Sequence, residues 1–189
     1  MANAADNQSM ALLIVDMINP LDFSGGAAIL PLATAAAQRI ARLKQRLQER
    51  GVPVIYANDN FAHWQMDFNE LVAICSHDSR GAPLAQLLAP DRDDHFVLKP
   101  KHSAFYETPL PTLLAKLKVG GLVITGLATD NCVLATAMDA HMREYRVHVP
   151  RDCVAAVSRA RSDRALALMK DAMDLDVRTS RYVQAAAPG

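Results

Sequence analysis

The sequence predicts an α/β fold, with a mostly parallel six-stranded sheet in a three-layer, Rossmann-like α-β-α arrangement and helices on both faces. Short apolar runs alternate along the chain with longer segments in which apolar residues recur at helical spacing. Such alternation is typical of βαβ units, whose parallel sheets are covered on both faces. No linker or repeat interrupts the pattern. We therefore expect residues 1–189 to form one domain, with residues 1–10 flexible.

The first half of the chain contains three predicted strands. The run "ALLIVD" is a buried strand that ends in an acid, "VPVIYAND" is the second strand and "HFVLKP" is the third, which its proline terminates. A helix is expected over residues 31–50, where apolar residues recur at helical spacing. Residues 67–75 and 83–88 are expected to form short helices.

The second half continues the alternation. "TPLPTLLAKLKV" predicts a helix with proline near its start, where proline is favoured. "GLVITG" is the fourth strand, residues 130–144 the following helix, and "YRVHVP" the fifth strand. "SRARSDRALALMKDAM" predicts a last helix and "DLDVRTS" an edge strand, which completes the sheet.

Composition limits the function classes. The formal net charge is zero, so nothing in the composition favours nucleic acids or anionic membranes as partners, since both require a basic face. The apolar run after the polar N-terminus is too short for a signal peptide or a membrane span. We expect a cytoplasmic protein, and no cofactor, since the sequence has neither a GxGxxG nor a GxxxxGK nucleotide-binding loop. Its three cysteines should be free thiols in a reducing compartment.

Polar residues end three of the predicted strands. Asp16 and Lys99 each close a strand, and Cys132 follows the fourth strand at the start of a helix. Chemistry in parallel sheets collects at the carboxyl ends of the strands. We therefore expect these three side chains to meet, although each alone is more typical of a capping acid, a surface lysine or a core thiol.

A thiol at this position has the means to become a nucleophile. The helix N-terminus and the ammonium group of Lys99 would favour the thiolate, and Asp16 would accept the thiol proton. The backbone amides of Ala128 and Cys132 would form an oxyanion hole, because the small residues of "GLAT" permit a tight turn. We expect Asp130 to cap the helix.

Four segments resemble the isochorismatase-like cysteine hydrolases, the superfamily of nicotinamidases and N-carbamoylsarcosine amidohydrolase. They are "ALLIVDMINPLDF", "YANDNF", "LKPKHSAFYETPL" and "TGLATDNCVLATAMDA", in the family's order over residues 11–180. The resemblance implies an Asp–Lys–Cys triad of Asp16, Lys99 (or, less well matched, Lys101) and Cys132. It also implies a cis peptide between Leu127 and Ala128, a homo-oligomer (dimer or tetramer), and hydrolysis of a C–N bond in a small amide, carbamoyl or ureido compound through a thioester.

One segment departs from the metal-binding members of that family. Nicotinamidases carry Asp-x-His after the second strand, whereas this chain reads "NDNFAHW", with Asp59 present and His63 four residues later. His77 lacks convincing ligand spacing. We therefore expect a metal-free branch that is not a nicotinamidase. Isochorismate hydrolysis is disfavoured too, because members dedicated to it can lack the cysteine.

The pocket walls are less defined by the sequence. Phe23, Asn58, Trp64 and Phe105 are the predicted pocket residues, and Asn58 is alternatively a brace behind the site, as is Asp59. His102 is expected at the surface, and the other two cysteines, Cys75 and Cys153, in the core. Two alternatives stay open: a non-catalytic member of the fold that binds a ligand or scaffolds an assembly, and a redox-sensing thiol protein.

Overall fold

The computed structural model describes residues 9–61 and 65–187, which form a parallel six-stranded sheet. Its order is β3-β2-β1-β4-β5, and β6 also pairs with β4. This confirms the predicted fold class. The strands are β1 (Met10–Val15), β2 (Val54–Asp59), β3 (His95–Lys99), β4 (Gly121–Leu127), β5 (Arg146–His148) and β6 (Val154–Ala155).

Helices cover both faces of the sheet. A π-helical turn, Thr129–Val133, leads directly into the fifth α-helix, and a 3-10 turn, Ser180–Tyr182, lies near the end of the described chain. The α-helices are α1 (Gly26–Gln48), α2 (Phe68–Ser76), α3 (Ala82–Leu87), α4 (Leu110–Lys116), α5 (Leu134–Met142) and α6 (Arg159–Met173).

The hydrophobic core has two halves, separated by the sheet. Alternate residues of β1 point to opposite faces, so Leu12 and Ile14 pack with α1, α2 and α3, whereas Leu13 and Val15 pack with α4, α5 and α6. All six residues of β1 are buried. The central strand is thus held by packing on both faces, and this packing fixes the position of Asp16, the residue that follows it.

Two predicted elements differ from the structure. "DLDVRTS" is not a strand: Asp176 forms a single bridge with His148, and its side chain accepts the Arg178 amide proton, so that amide is not offered to a neighbouring strand. The sixth strand is β6 instead. Helix α1 begins at Gly26, not at residue 31. Pro31 therefore lies inside the helix, where its missing amide proton costs one backbone hydrogen bond.

Candidate active site

The carboxyl ends of four adjacent strands bring the predicted triad together. Asp16 follows β1, Asp59 ends β2, Lys99 ends β3, and Cys132 lies in the π-helical turn after β4. Asp59 and Lys99 are direct partners in the β2–β3 register. The order β3-β2-β1-β4 therefore places an ammonium, two carboxylates and a thiol along one edge of the sheet.

Asp16 is held by the backbone of the neighbouring strand. Its amide donates to the carbonyl oxygen of Ala57 at 3.0 Å, which extends the β1–β2 ladder by one residue. Its Oδ1 accepts a hydrogen bond from the Asp59 amide at 2.8 Å. Asp16 has a φ of 51°, a left-handed conformation that aspartate tolerates better than most residues and that is often found at functional sites.

Lys99 is the most buried member of the site, with an exposed fraction of 0%. Its Nζ lies 2.8 Å from Asp16 Oδ2 and 3.9 Å from Asp59 Oδ2. It donates to Cys132 Sγ at 3.5 Å and to the carbonyl oxygen of Lys101 at 3.3 Å. Lys99 rather than Lys101 therefore contacts the acid and the thiol, and Lys101 takes part through its backbone.

The turn that carries Cys132 is pressed against the end of β1. Gly126 has a φ of 111°, and a Cβ there would lie 2.0 Å from the carbonyl oxygen of Val15, so only glycine fits. This close approach brings the chain after β4 beside Asp16. Within the turn, the amides of Asn131 and Val133 both donate to the Ala128 carbonyl, at 3.0 and 3.2 Å.

The electrostatics of the site differ from the expectation of a resting thiolate. Burial and the charge of Asp16 raise the pKa of Cys132 to about 12, and Lys99 offsets them only in part. Burial also raises the pKa of Asp16, against the opposing effect of Lys99. Burial by itself would lower the pKa of Lys99, but Asp16 outweighs it and holds that pKa above its usual value. Burial and the charge of Asp16 therefore favour the thiol form of Cys132 more than Lys99 favours the thiolate, and the expected transfer of the thiol proton to Asp16 is the route to a nucleophile that these contacts support.

Two further expectations at this turn are corrected. The described residues contain no cis peptide, so the bond between Leu127 and Ala128 is trans, the form that costs less for a residue other than proline. Asp130 does not cap the helix. Its side chain pairs with Arg161 on α6, because a guanidinium is a stronger partner for a carboxylate than a backbone amide.

The predicted pocket residues have different surroundings. Phe105 is buried in the core, where its ring lies 5.9 Å from that of Tyr145, so it is not an open wall of the site. Asn58 is fully buried, and its Nδ2 donates to the carbonyl oxygen of Ile18, which ties β2 to the loop after β1 and fits the alternative role of a brace behind the site. Phe23 is 45% exposed on the loop after β1. Trp64 and His63 lie outside the described residues.

One residue that the sequence placed at the surface lies beside the thiol. His102 is exposed, yet its Nδ1 is 3.8 Å from Cys132 Sγ. The signal that could have predicted this contact is its position three residues after Lys99, just past the end of β3. Asp59 is a brace, as expected, through its amide on Asp16. Cys75 and Cys153 are buried in the core with raised pKa values, also as expected.

Metal and membrane features were sought in the described ranges. Residues 9–61 and 65–187 contain no group of three or more His, Cys, Asp or Glu that could hold a metal ion. Because His63 lies outside these ranges, the metal-free branch stays a prediction. Within the same ranges, no helix has the length and apolar character needed to cross a bilayer.

Comparisons with known proteins identify the family of this chain. The family model of the Isochorismatase domain matches residues 10–181. The chain is 39% identical to the uncharacterized isochorismatase family protein YaaI of Bacillus subtilis, over 92% of this chain and 95% of that protein. It is 30% identical to the ureidoacrylate amidohydrolase RutB of Methylorubrum extorquens, over 75% of this chain and 68% of that protein.

The solved N-carbamoylsarcosine amidase from Thermoplasma acidophilum has a similar structure. The TM-score is 0.71 at 25% identity, and the match covers 93% of this chain and 99% of that one. Since the family model spans nearly all of the described residues, the chain belongs to the isochorismatase family, as its motifs predicted.

Proposed function

We propose that this protein is a cysteine hydrolase that cleaves a C–N bond of a small amide, carbamoyl or ureido compound through a thioester. The observation that carries the proposal is the buried Lys99 ammonium, which lies 2.8 Å from the Asp16 carboxylate and 3.5 Å from the Cys132 sulfur. A nucleophile, a proton acceptor and a cation within hydrogen-bond reach are what covalent acyl transfer requires. The amidohydrolase relatives support the same reaction class.

The first half of the reaction uses Asp16 as a base. Burial and the charge of Asp16 favour the thiol form of Cys132, so its proton passes to the Asp16 carboxylate as the sulfur attacks the substrate carbonyl carbon. Burial raises the pKa of Asp16, which makes its carboxylate a better proton acceptor than an exposed one. Lys99 stays cationic and offsets the negative charge that moves between carboxylate and sulfur.

The oxyanion of the tetrahedral intermediate needs donors. The amides of Asn131 and Val133 are already used by the Ala128 carbonyl. This pattern supports the expected oxyanion hole at Ala128 and Cys132.

The second half releases the products. Collapse of the intermediate breaks the C–N bond, and Asp16 returns its proton to the leaving amine. Water then attacks the thioester while Asp16 takes its proton, and the second collapse expels the sulfur, which regains a proton from Asp16. The products are an amine or ammonia and a carboxylic or carbamic acid.

The test combines labelling with turnover. Iodoacetamide should alkylate Cys132 before Cys75 and Cys153, because the latter two are completely buried. Ammonia release from a panel of small amide, carbamoyl and ureido compounds should identify a substrate, and Cys132→Ala and Cys132→Ser should abolish its turnover. Hydroxylamine should intercept the thioester as a hydroxamate. Earlier labelling of Cys75 or Cys153, or turnover by Cys132→Ala, would contradict the proposal.

A further inference from the structure

One side of the nucleophile's helix contacts the segment that follows Lys99. Cys132, Thr136, Asp139 and Arg143 are separated by four, three and four residues. At 3.6 residues per turn, the spacing along α5 places Thr136, Asp139 and Arg143, its C-cap, in one stripe, and Cys132 precedes them in the π-helical turn that leads into α5. The stripe begins at the nucleophile, and the segment that it contacts begins at the lysine of the same site.

Each member of the stripe has its own partner on that segment. Cys132 Sγ lies 3.8 Å from His102 Nδ1, and Thr136 Oγ1 accepts the Ala104 amide proton at 3.0 Å. The Ser103 hydroxyl donates to the Asp139 carboxylate. The Arg143 guanidinium lies 4.9 Å from the centre of the Phe105 ring. Together, the four pairs span about three turns of helix.

The polar contacts in the middle of the stripe are well defined. Thr136 and Ala104 are both completely buried, so the Ala104 amide depends on the threonine oxygen for its hydrogen bond. The Ser103 hydroxyl also accepts from the Phe105 amide at 3.1 Å, which directs its own proton to Asp139. Because hydrogen bonds are directional, these two bonds fix the distance between α5 and the segment after Lys99 more closely than apolar packing would.

The segment is connected to the catalytic ammonium through the backbone. The Lys101 carbonyl oxygen accepts a hydrogen bond from Lys99 Nζ at 3.3 Å, two residues before Ser103. A displacement of residues 101–105 would therefore move one of the groups that hold the ammonium, and would also move His102 away from the sulfur.

We infer that Thr136 and Asp139 are positioning residues: by binding Ala104 and Ser103 they hold Lys99 and His102 at the sulfur of Cys132. The inference rests on the proposed function, since it concerns the alignment of that catalytic site. Neither residue touches the reacting atoms. They act through the segment 101–105, and their removal should increase the distance between the ammonium and the thiol.

The experiment measures the alkylation rate of Cys132 by iodoacetamide between pH 7 and 9, which needs no substrate. Ser103→Ala, Asp139→Ala and Thr136→Val should lower that rate about 3- to 10-fold, as for a thiol pKa raised by about half to one unit. Thr136→Ser keeps the accepting oxygen and should restore the rate. The matched control is Ser180→Ala, because Ser180 donates to Asp152 in another serine–aspartate pair that makes no contact with the triad.

The outcomes separate a positioning role from a merely structural one. Loss of thermal stability in both Ser103→Ala and Ser180→Ala, with a slower Cys132 in Ser103→Ala alone, supports the inference. An unchanged alkylation rate in all the stripe variants would overturn it, even if they are destabilised. Equal alkylation of the three cysteines in the unaltered chain would instead overturn the proposed function, and this inference with it.

Discussion

Two buried lysines with two carboxylates each invite comparison. Lys44 Nζ, on α1, lies 2.8 Å from Asp91 and 2.6 Å from Asp94, and it donates to the Tyr56 hydroxyl at 3.2 Å. Lys99 Nζ has one carboxylate at 2.8 Å, that of Asp16, and the second, that of Asp59, at 3.9 Å. Each group consists of one lysine and two aspartates, but the environments of the aspartate carboxylates differ.

The difference lies in how well each carboxylate is compensated. Asp91 is open to water and bonded to both Lys44 and Gln48, so these contacts lower its pKa. Asp16 is buried and shares its cation with a thiol, so its pKa is raised. A well-compensated ion pair braces α1 against the loop before β3. A carboxylate that is under-compensated in a dry site is instead ready to accept a proton.

Asp16→Asn should produce the largest effect on turnover. Loss of a general base should reduce the rate by about 100- to 10,000-fold on a substrate found by screening. The same substitution removes the negative charge that raises the pKa of Cys132. Alkylation of Cys132 by iodoacetamide at pH 8 should therefore become faster while turnover falls.

These opposite signs distinguish a base from a structural acid. Asp91→Asn, at the other lysine, is the control and should change neither rate. A slower alkylation of Cys132 in Asp16→Asn, or a normal turnover, would contradict the assignment of Asp16 as the base.

The two lysines should respond differently to replacement by methionine. Lys99→Met removes the cation beside the sulfur and should lower turnover by about 100- to 1000-fold, as for the loss of one electrostatic contact to a transition state. Lys44→Met leaves the buried carboxylate of Asp94 without its cation and should lower the free energy of unfolding by about 3 kcal/mol.

Turnover of Lys44→Met should remain near that of the unaltered protein when measured well below its unfolding temperature. Urea denaturation and ammonia release, measured on both variants, check the pair. Equal loss of turnover in the two variants would remove the distinction between a structural and a catalytic lysine.

Acid should produce the smallest graded effect, about tenfold per pH unit. Asp16 acts in its ionised form, and its pKa is raised, so turnover should decline as the pH falls through a value above the ordinary aspartate range. Asp91 has a lowered pKa, so its contribution to stability persists down to ordinary aspartate pKa values and is lost only below them.

Inactivation should therefore precede unfolding when the pH is lowered from 8 to 3. Turnover measured in parallel with circular dichroism shows the order of the two transitions. Coincident transitions would mean that Asp16 titrates as an ordinary exposed acid.

Much of this site was accessible from the sequence, because strand ends are local features. Asp16, Lys99 and Cys132 each follow a short apolar run, and the parallel topology places such ends together. The core positions of Cys75 and Cys153 were also predictable, because a free cysteine is among the residue types most often buried.

The errors at the site come from long-range contacts. The resting state of Cys132 depends on how completely the fold buries it and on its distance from Asp16, neither of which has a sequence signature. Asp130 matched a capping pattern, but Arg161, 31 residues away, competes for it. Phe105 follows a motif at the site, yet its ring is in the core. In each case a contact with a residue distant in sequence, and not the local sequence pattern, determines the environment of the side chain.

The raised pKa of the Cys132 thiol has a consequence for inhibition. General electrophiles react with thiolates, so a thiol whose pKa is raised reacts with them more slowly than a resting thiolate would. A covalent inhibitor of this site would gain selectivity from a carbonyl or nitrile group that accepts hydrogen bonds from the backbone amides of the turn. Such an inhibitor would react as the thiol proton passes to Asp16, in the same way as the substrate. Other cellular thiols lack a neighbouring carboxylate of this kind and would react more slowly.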